Sequence, residues 1–217
     1  MAKITWDNAG ERFYETGVDR GVLYVMEDGE YGAGVPWNGL TAVTESPSGA
    51  ESNPFYADNI KYLNLTSAEE LGATIEAYTY PDEFGVCDGT AQPVDGVFIG
   101  QQPRRKFGLS YRTIKGNDEE SNAYGYKIHL LYSAQAGPSE KAYTTVNESP
   151  EPLTFSWELT TDGVTVNETH GRTALITIDS TLVSEANLSA LEELLYGGET
   201  EEPSLPSPAE VLDLFGN

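Results

Sequence analysis

Cysteine is nearly absent from the chain. Cys87 stands alone, so no intramolecular disulfide forms and a fold stapled for an oxidising compartment is excluded. Histidine is almost as scarce. His129 and His170 lie far apart with a single thiol to join them, so a Cys/His transition-metal site is not expected. Bases are few as well: 12 Lys and Arg face 35 Asp and Glu, for a net charge of −23. Such a surface repels phosphates and anionic membranes and argues against ordinary nucleic-acid binding. It confers solubility, and it would let a surface sit beside DNA without gripping it. Long apolar runs are missing too. No stretch approaches the ~20 apolar residues of a membrane span, and Met1-Ala2-Lys3-Ile4-Thr5-Trp6-Asp7 carries no apolar signal core. A chain made and folded in a cytoplasm is expected.

Catalytic motifs are equally lacking. There is no Gly-x-Ser-x-Gly elbow and no P-loop. Gly32-Ala33-Gly34-Val35-Pro36-Trp37 places Trp37 where the dinucleotide fingerprint needs its third glycine. The acid clusters Asp82-Glu83, Asp118-Glu119-Glu120 and Glu192-Glu193 are what chance supplies among 35 acids. None has EF-hand spacing, and each reads as a solvated turn. No catalytic residue, cofactor or metal site is expected.

What the chain does have is Tyr (13), Gly (22) and Pro (12), a balance of half-buried strand and turn. Leu153–Thr160 alternates Leu153, Phe155, Trp157 and Leu159 with polar residues, a period of two with one dry face. Lys106–Ile114 repeats it with Phe107, Leu109 and Tyr111. Tyr124–Ser133 puts Tyr124, Tyr126, Ile128, Leu130 and Tyr132 on one face and His129 on the other, where it reads as a surface or interface group. Shorter strands are expected at Gly21–Met26, Leu40–Glu45, Asn59–Leu65, Ala73–Tyr80, Ala142–Val146 and Thr173–Asp179. Turn residues separate them, so a mainly β chain folded as an antiparallel sandwich or half-open barrel is the economical reading.

Helices are expected at three places. Ser67-Ala68-Glu69-Glu70 has the capping-box pattern and room for about one turn. Ser184–Tyr196 has a capping serine, a Leu188, Leu191, Leu195 stripe and Gly197-Gly198 to end it, and should cover an open sheet face. Residues 1–198 thus read as one β-domain. Residues 199–217 read as an acidic, Pro-rich linker followed by a capped segment with Pro208 at its first position. Its apolar residues Val211, Leu212, Leu214 and Phe215 are marginal as an isolated helix and are expected to dock on a neighbour or on the chain's own barrel. Arg104-Arg105-Lys106 is the only cationic cluster. It reads as ion-pair partners for a neighbouring subunit or for the chain's own acids.

Several segments, taken in order, carry a resemblance. They include Gly21-Val22-Leu23-Tyr24, Val35-Pro36-Trp37-Asn38-Gly39-Leu40, Thr44-Glu45-Ser46-Pro47 and Tyr56-Ala57-Asp58-Asn59-Ile60-Lys61-Tyr62. Ala73-Thr74-Ile75-Glu76-Ala77-Tyr78-Thr79-Tyr80-Pro81-Asp82-Glu83-Phe84, Phe107-Gly108-Leu109-Ser110-Tyr111-Arg112 and Gly125-Tyr126-Lys127-Ile128-His129 follow. Pro138-Ser139-Glu140-Lys141 and Phe155-Ser156-Trp157-Glu158 close the set. Together the chain resembles the major tail protein of siphophages that infect Gram-positive bacteria, from about residue 6 to residue 179. The resemblance implies a tail-tube fold whose partners are first of all other copies of itself, six to a ring and rings stacked into a tube. It also implies a tape-measure protein inside, tail-terminator and distal tail proteins at the ends, and double-stranded DNA passing through without specific binding. The location would be the virion tail. A loop or hairpin from each subunit would reach the next ring. Ser46-Pro47-Ser48-Gly49-Ala50-Glu51-Ser52-Asn53, a polar turn between apolar flanks, is the candidate for that arm. The rival readings are a β-sandwich that binds carbohydrate or decorates a capsid, and an acid-rich glycosidase.

Overall fold

A computed structural model describes residues 3–146, 148 and 151–216. The protein is mainly β, with antiparallel sheets and, among the described residues, two α-helices. Its strands are β1 (Tyr14–Glu27), β2 (Glu30–Tyr31), β3 (Val35–Trp37), β4 (Leu40–Gly49), β5 (Ser52–Ala57), β6 (Ile60–Thr66) and β7 (Glu69–Ala77). A 3₁₀ turn at Asp82–Val86 precedes β8 (Ala91–Val94), β9 (Val97–Ile99), β10 (Phe107–Asn117), β11 (Ser121–Ala136) and β12 (Phe155–Thr161). Two short strands, β13 (Val164–Thr165) and β14 (Arg172–Thr173), lead to β15 (Leu175–Asp179), and helices α1 (Glu185–Tyr196) and α2 (Pro208–Phe215) end the chain.

The main sheet runs β2-β1-β10-β11-β12-β7-β4, with β3 added to β1 and β15 to β11. Its two ends curl together. Leu40 of β4 packs on Gly21 of β1, yet no ladder joins β1 to β4 among the described residues. The sheet is therefore a half-open barrel. Its inside is one core, built on Leu23, Phe107, Leu109, Leu131, Ile75 and Trp157. A second core lies on the outer face of β1, β10 and β11, where Val22, Tyr24, Ile128, Leu130 and Tyr132 meet Leu188, Leu191 and Leu195 of α1.

Two bulges let the same strands serve both cores. On β11, Ile128, Leu130 and Tyr132 face the helices, whereas Ala134 and Ala136 face the barrel interior. An odd step is needed between them, and it falls at Ser133, whose φ is 48°, where the register to β10 slips. On β1, Val18 and Leu23 share the interior although their numbers differ in parity. The slip there is at Arg20, φ 50°. One extra residue flips every later side chain to the other face.

The helical layer follows the expected chemistry. Ser184 caps α1 by accepting from the Asn187 amide at 3.2 Å, and Gly197 ends it at φ 85°. Ser207 and Glu210 form a capping box on α2. The stretch between the helices is extended but packed. The Gly34 amide donates to the Pro203 carbonyl, the Ser204 amide to Leu194 and the Tyr132 hydroxyl to Pro206. Leu205 lies so close over β10 that a Cβ on Gly108 would stand 2.2 Å from its Cδ2. Leu205 and Val211 are buried in the second core, and Leu214 and Phe215 pack at its rim.

Three local expectations are corrected. Ser67–Glu70 is no helical turn: Ser67 Oγ accepts from the Glu51 amide, and Glu69 and Glu70 open β7. A lone cap signal cannot nucleate a helix where the period of two in Leu71, Ala73, Ile75 and Ala77 is satisfied by pairing on both edges. Residues 142–146 form no strand and are exposed, because no neighbouring strand edge pairs with them. Asp82 and Glu83 lie exposed in the 3₁₀ turn, as a solvated turn requires, and that turn drives Phe84 into the barrel. His129 is buried, since its face of β11 is the barrel interior and not solvent.

Candidate assembly surface

The polar stretch 46–53 is not a turn. Ser46 to Gly49 belong to β4 and pair with β7 as far as Gly49 opposite Glu69. Gly49 (φ 83°) and Ala50 (φ 53°) then bend the chain, and Ser52 and Asn53 begin β5. A Cβ at Gly49 would lie 2.3 Å from the Ala68 carbonyl, so only glycine fits the bend. The candidate segment is thus the root of a longer object, the β5–β6 ribbon. At the far end Asp58 and Asn59 both have positive φ (51° and 63°), the pair a tight hairpin turn requires.

The ribbon stands clear of both cores, and every residue of β5 and β6 is exposed. Its register gives it two unlike faces. Phe55 opposes Leu63, Asn53 opposes Leu65 and Ala57 opposes Ile60, so these share one side. Ser52, Pro54, Asn64, Thr66, Tyr56 and Lys61 share the other, where Asn64 donates to Ser52. Tyr62 is the extra residue of a bulge. The first face is an apolar stripe with Phe55 51%, Ile60 62% and Leu65 57% exposed. A monomer rarely leaves so much contiguous apolar surface in water.

A second exposed hairpin, β8–β9, was not expected from the sequence. Val94, Val97, Phe98 and Ile99 are all exposed on it. Its signal was available: Asp95-Gly96 flanked by apolar residues, with Gly96 at φ 79°. Asp58-Asn59 announced the ribbon turn in the same way. The half-open seam is a third feature. A groove of about 520 Å³ there is lined by Val18, Val22, Pro36, Trp37, Leu40 and Tyr196. The edge of β1 before Gly21 and the outer edge of β4 carry no strand partner among the described residues, and such edges are templates for another chain.

The basic cluster is tied into the chain itself. Arg105 pairs with Glu27 at 3.0 Å, and Lys106 pairs with Asp162. Arg104 is different: its guanidinium donates to the Ala136 carbonyl at 3.2 Å and to the Asp88 carbonyl at 3.0 Å, clamping two backbone segments. Asp88 accepts from Trp157 Nε1 and pairs with Lys141, so its buried carboxylate is satisfied. In the C-terminal segment, Val211 is 2% exposed while Leu212 is 38% exposed, so α2 lies on its own barrel with Val211 inward.

One polar cluster sits inside the barrel. His129 stacks on Tyr111 with centroids 4.7 Å apart. Its Nδ1 is 3.2 Å from Glu45 Oε1, and its Nε2 is 2.9 Å from Thr113 Oγ1. The Tyr111 hydroxyl donates to the same Glu45 oxygen at 2.6 Å. Glu45 belongs to β4, so the cluster ties that seam strand to β10 and β11. Burial pushes the His129 pKa below its ordinary value, against the pull of Glu45 and Glu15. Among the described residues no group of three or more His, Cys, Asp and Glu is placed to hold a metal ion, and no helix is long and apolar enough to cross a membrane.

No protein-family model matches the chain, and no curated protein matches it. Among solved structures it is similar to a chain of the anti-feeding prophage (AFP) baseplate, determined by cryo-EM with 6-fold symmetrisation. That match has a TM-score of 0.38 and 10% identity, and covers 82% of this chain and 100% of the other. It is also similar to a chain of the sheath-tube complex of an extracellular contractile injection system (PVC) in the extended state. There the TM-score is 0.31 and the identity 12%, over 74% of this chain and 88% of that one. Likenesses this loose carry no argument about what the chain does.

Proposed function

We propose that the protein is a structural subunit of a siphophage tail tube, assembling into stacked hexameric rings that enclose a conduit for DNA. The carrying observation is the half-open barrel, whose seam strands have unpaired edges and whose β4–β7 pair continues into an exposed ribbon with one apolar face. Unpaired edges are a hazard to a monomer and an asset to a ring subunit, because lateral copies can complete the ladder. The ordered set of segments resembling siphophage major tail proteins supports the same reading. The ribbon, rooted in residues 46–53, is the element that reaches the next ring. A charge of −23 suits a conduit, since like charge keeps duplex DNA from adhering to the wall. The tape-measure protein would occupy the bore, and tail-terminator and distal tail proteins would cap it. The role is structural and not catalytic.

Negative-stain electron microscopy of concentrated protein at low and high salt tests this. Hollow rings or tubes are expected, more of them at high salt, where the Debye length shrinks to a few Å and copies repel less. Monodisperse single particles at every concentration and salt would refute it. Glycan affinity in such particles would favour the carbohydrate-binding rival.

A further inference from the structure

The ribbon and the β8–β9 hairpin leave the barrel at opposite ends of one strand. The ribbon continues from the end of β7 at Glu69, where Gly49 is its partner. The 3₁₀ turn and then the β8–β9 hairpin follow the other end of β7 at Ala77, where Leu40 is the partner. Strand β7 has 9 residues, which at ~3.3 Å each sets the two protrusions about 30 Å apart. Residues 137–146, with Tyr143 and Val146 at 76% and 82% exposure, follow the top of β11 at the hairpin's end. Each pole of the molecule thus presents bare apolar side chains that its own cores do not use.

From this we infer that the apolar face of the ribbon docks on the β8–β9 hairpin of a second copy, head to tail, with Phe55, Leu63 and Leu65 meeting Val94, Val97 and Ile99, which share one face of the hairpin. The inference rests on the tube reading and names the receiving surface within it. The two surfaces cannot meet in one molecule, because the barrel stands between them. Pairing unlike poles is a heterologous contact, which propagates along an axis instead of closing on a dimer. On the docking face Phe55, Ile60, Leu63 and Leu65 are exposed, and at roughly 100 Å² each they supply about half of the ~800 Å² that one partner contributes to a standard interface, a small contact that every copy in a ring repeats. The wet face, with Lys61, Asn64 and Ser52, stays in solvent.

Two variants test it by complementation. One is the ribbon variant Phe55→Ser/Leu63→Ser/Leu65→Ser, and the other the hairpin variant Val94→Ser/Val97→Ser/Ile99→Ser. All six side chains are exposed, so both should keep wild-type thermal unfolding. Each alone should stop at its first assembled unit. Mixed in equal amounts they should form assemblies two units deep and no longer, read by sedimentation velocity and electron microscopy. A second measurement does not depend on those variants folding. Leu63→Cys protein should cross-link to Val97→Cys protein under mild oxidation, and neither should cross-link to itself. A hairpin variant that elongates like wild type, or Leu63→Cys copies that cross-link to each other, would overturn the inference and leave the tube reading standing. Wild-type protein that never elongates would end both.

Discussion

Val211→Ser measures whether the C-terminal helix is part of the fold or an appendage. Val211 is 2% exposed among Leu188, Leu191, Leu195 and Leu205, whereas Leu212, one residue on, is 38% exposed. Burying a valine side chain stabilises by ~1.5–3 kcal/mol, and a serine hydroxyl left there without a partner costs about 1–3 kcal/mol more. Part of both contributions relaxes away if α2 lifts, so the expected loss is about 3 kcal/mol. Leu212→Ser should cost under about 1 kcal/mol, because much of that side chain is already in water. For a domain of 150–250 residues each kcal/mol moves the melting temperature by ~2–4 °C. Val211→Ser should therefore lower it by about 6–12 °C and Leu212→Ser by about 4 °C or less. Thermal unfolding followed by circular dichroism, with both variants in one buffer, is sufficient. Equal shifts, or a Val211→Ser shift below about 2 °C, would refute the docked geometry.

Two further predictions concern titration. Burial holds the His129 pKa below its unfolded value of ~6.5, so the folded protein binds that proton later than the unfolded chain does as pH falls. Stability should drop between pH 7.5 and 5.5, and His129→Gln should narrow that drop in urea titrations; an unchanged difference would exclude His129 as its source. The lowered carboxyls Asp19 and Asp179, held by Arg112 and Lys115, stabilise only above the carboxylate range and lose that effect at lower pH, outside this window. Cys87 is buried in the barrel, and its thiol is pushed up to about 12 by burial. It should react with a thiol reagent only after denaturant is added, and prompt labelling of native protein would contradict the core assignment.

The strands that feed the cores were legible because packing and pattern agree there. Phe155, Trp157 and Leu159 alternate cleanly, and β12 lies with Trp157 and Leu159 inside the barrel. Helix α1 was legible from its cap, stripe and terminal glycine together. Other features lay beyond local pattern. Ser133 carries no mark of a bulge, because its left-handed backbone is imposed by the two cores it separates. His129 reads as surface on alternation alone. The face opposite Leu130 turns out to be dry because β4 and Glu45 curl over it, a contact 84 residues away in sequence. The capping box at Ser67 was real as a pattern and lost to the ladder on both sides of β7.

The deeper limit lies in what a period of two means. Leu63 and Leu65 on the ribbon carry the same kind of signal as Phe155 and Trp157 in the barrel, and both predict a face removed from water. Pattern states that a face will be covered; it does not state by which chain. In this protein the two cases separate in space. The residues around the barrel axis and under α1 are covered by their own chain, down to zero exposure at Leu23, Ile75 and Trp157. Among the described residues nothing covers the ribbon or the β8–β9 hairpin, whose apolar side chains stay exposed. Their apolar content would be a solubility fault in a monomer, offset by the charge of −23. The same charge opposes chance contact between copies while leaving the matched apolar faces able to meet once salt screens it. High charge and bare ribbons are therefore complementary traits: the first keeps free subunits apart, and the second makes the assembled state worth reaching.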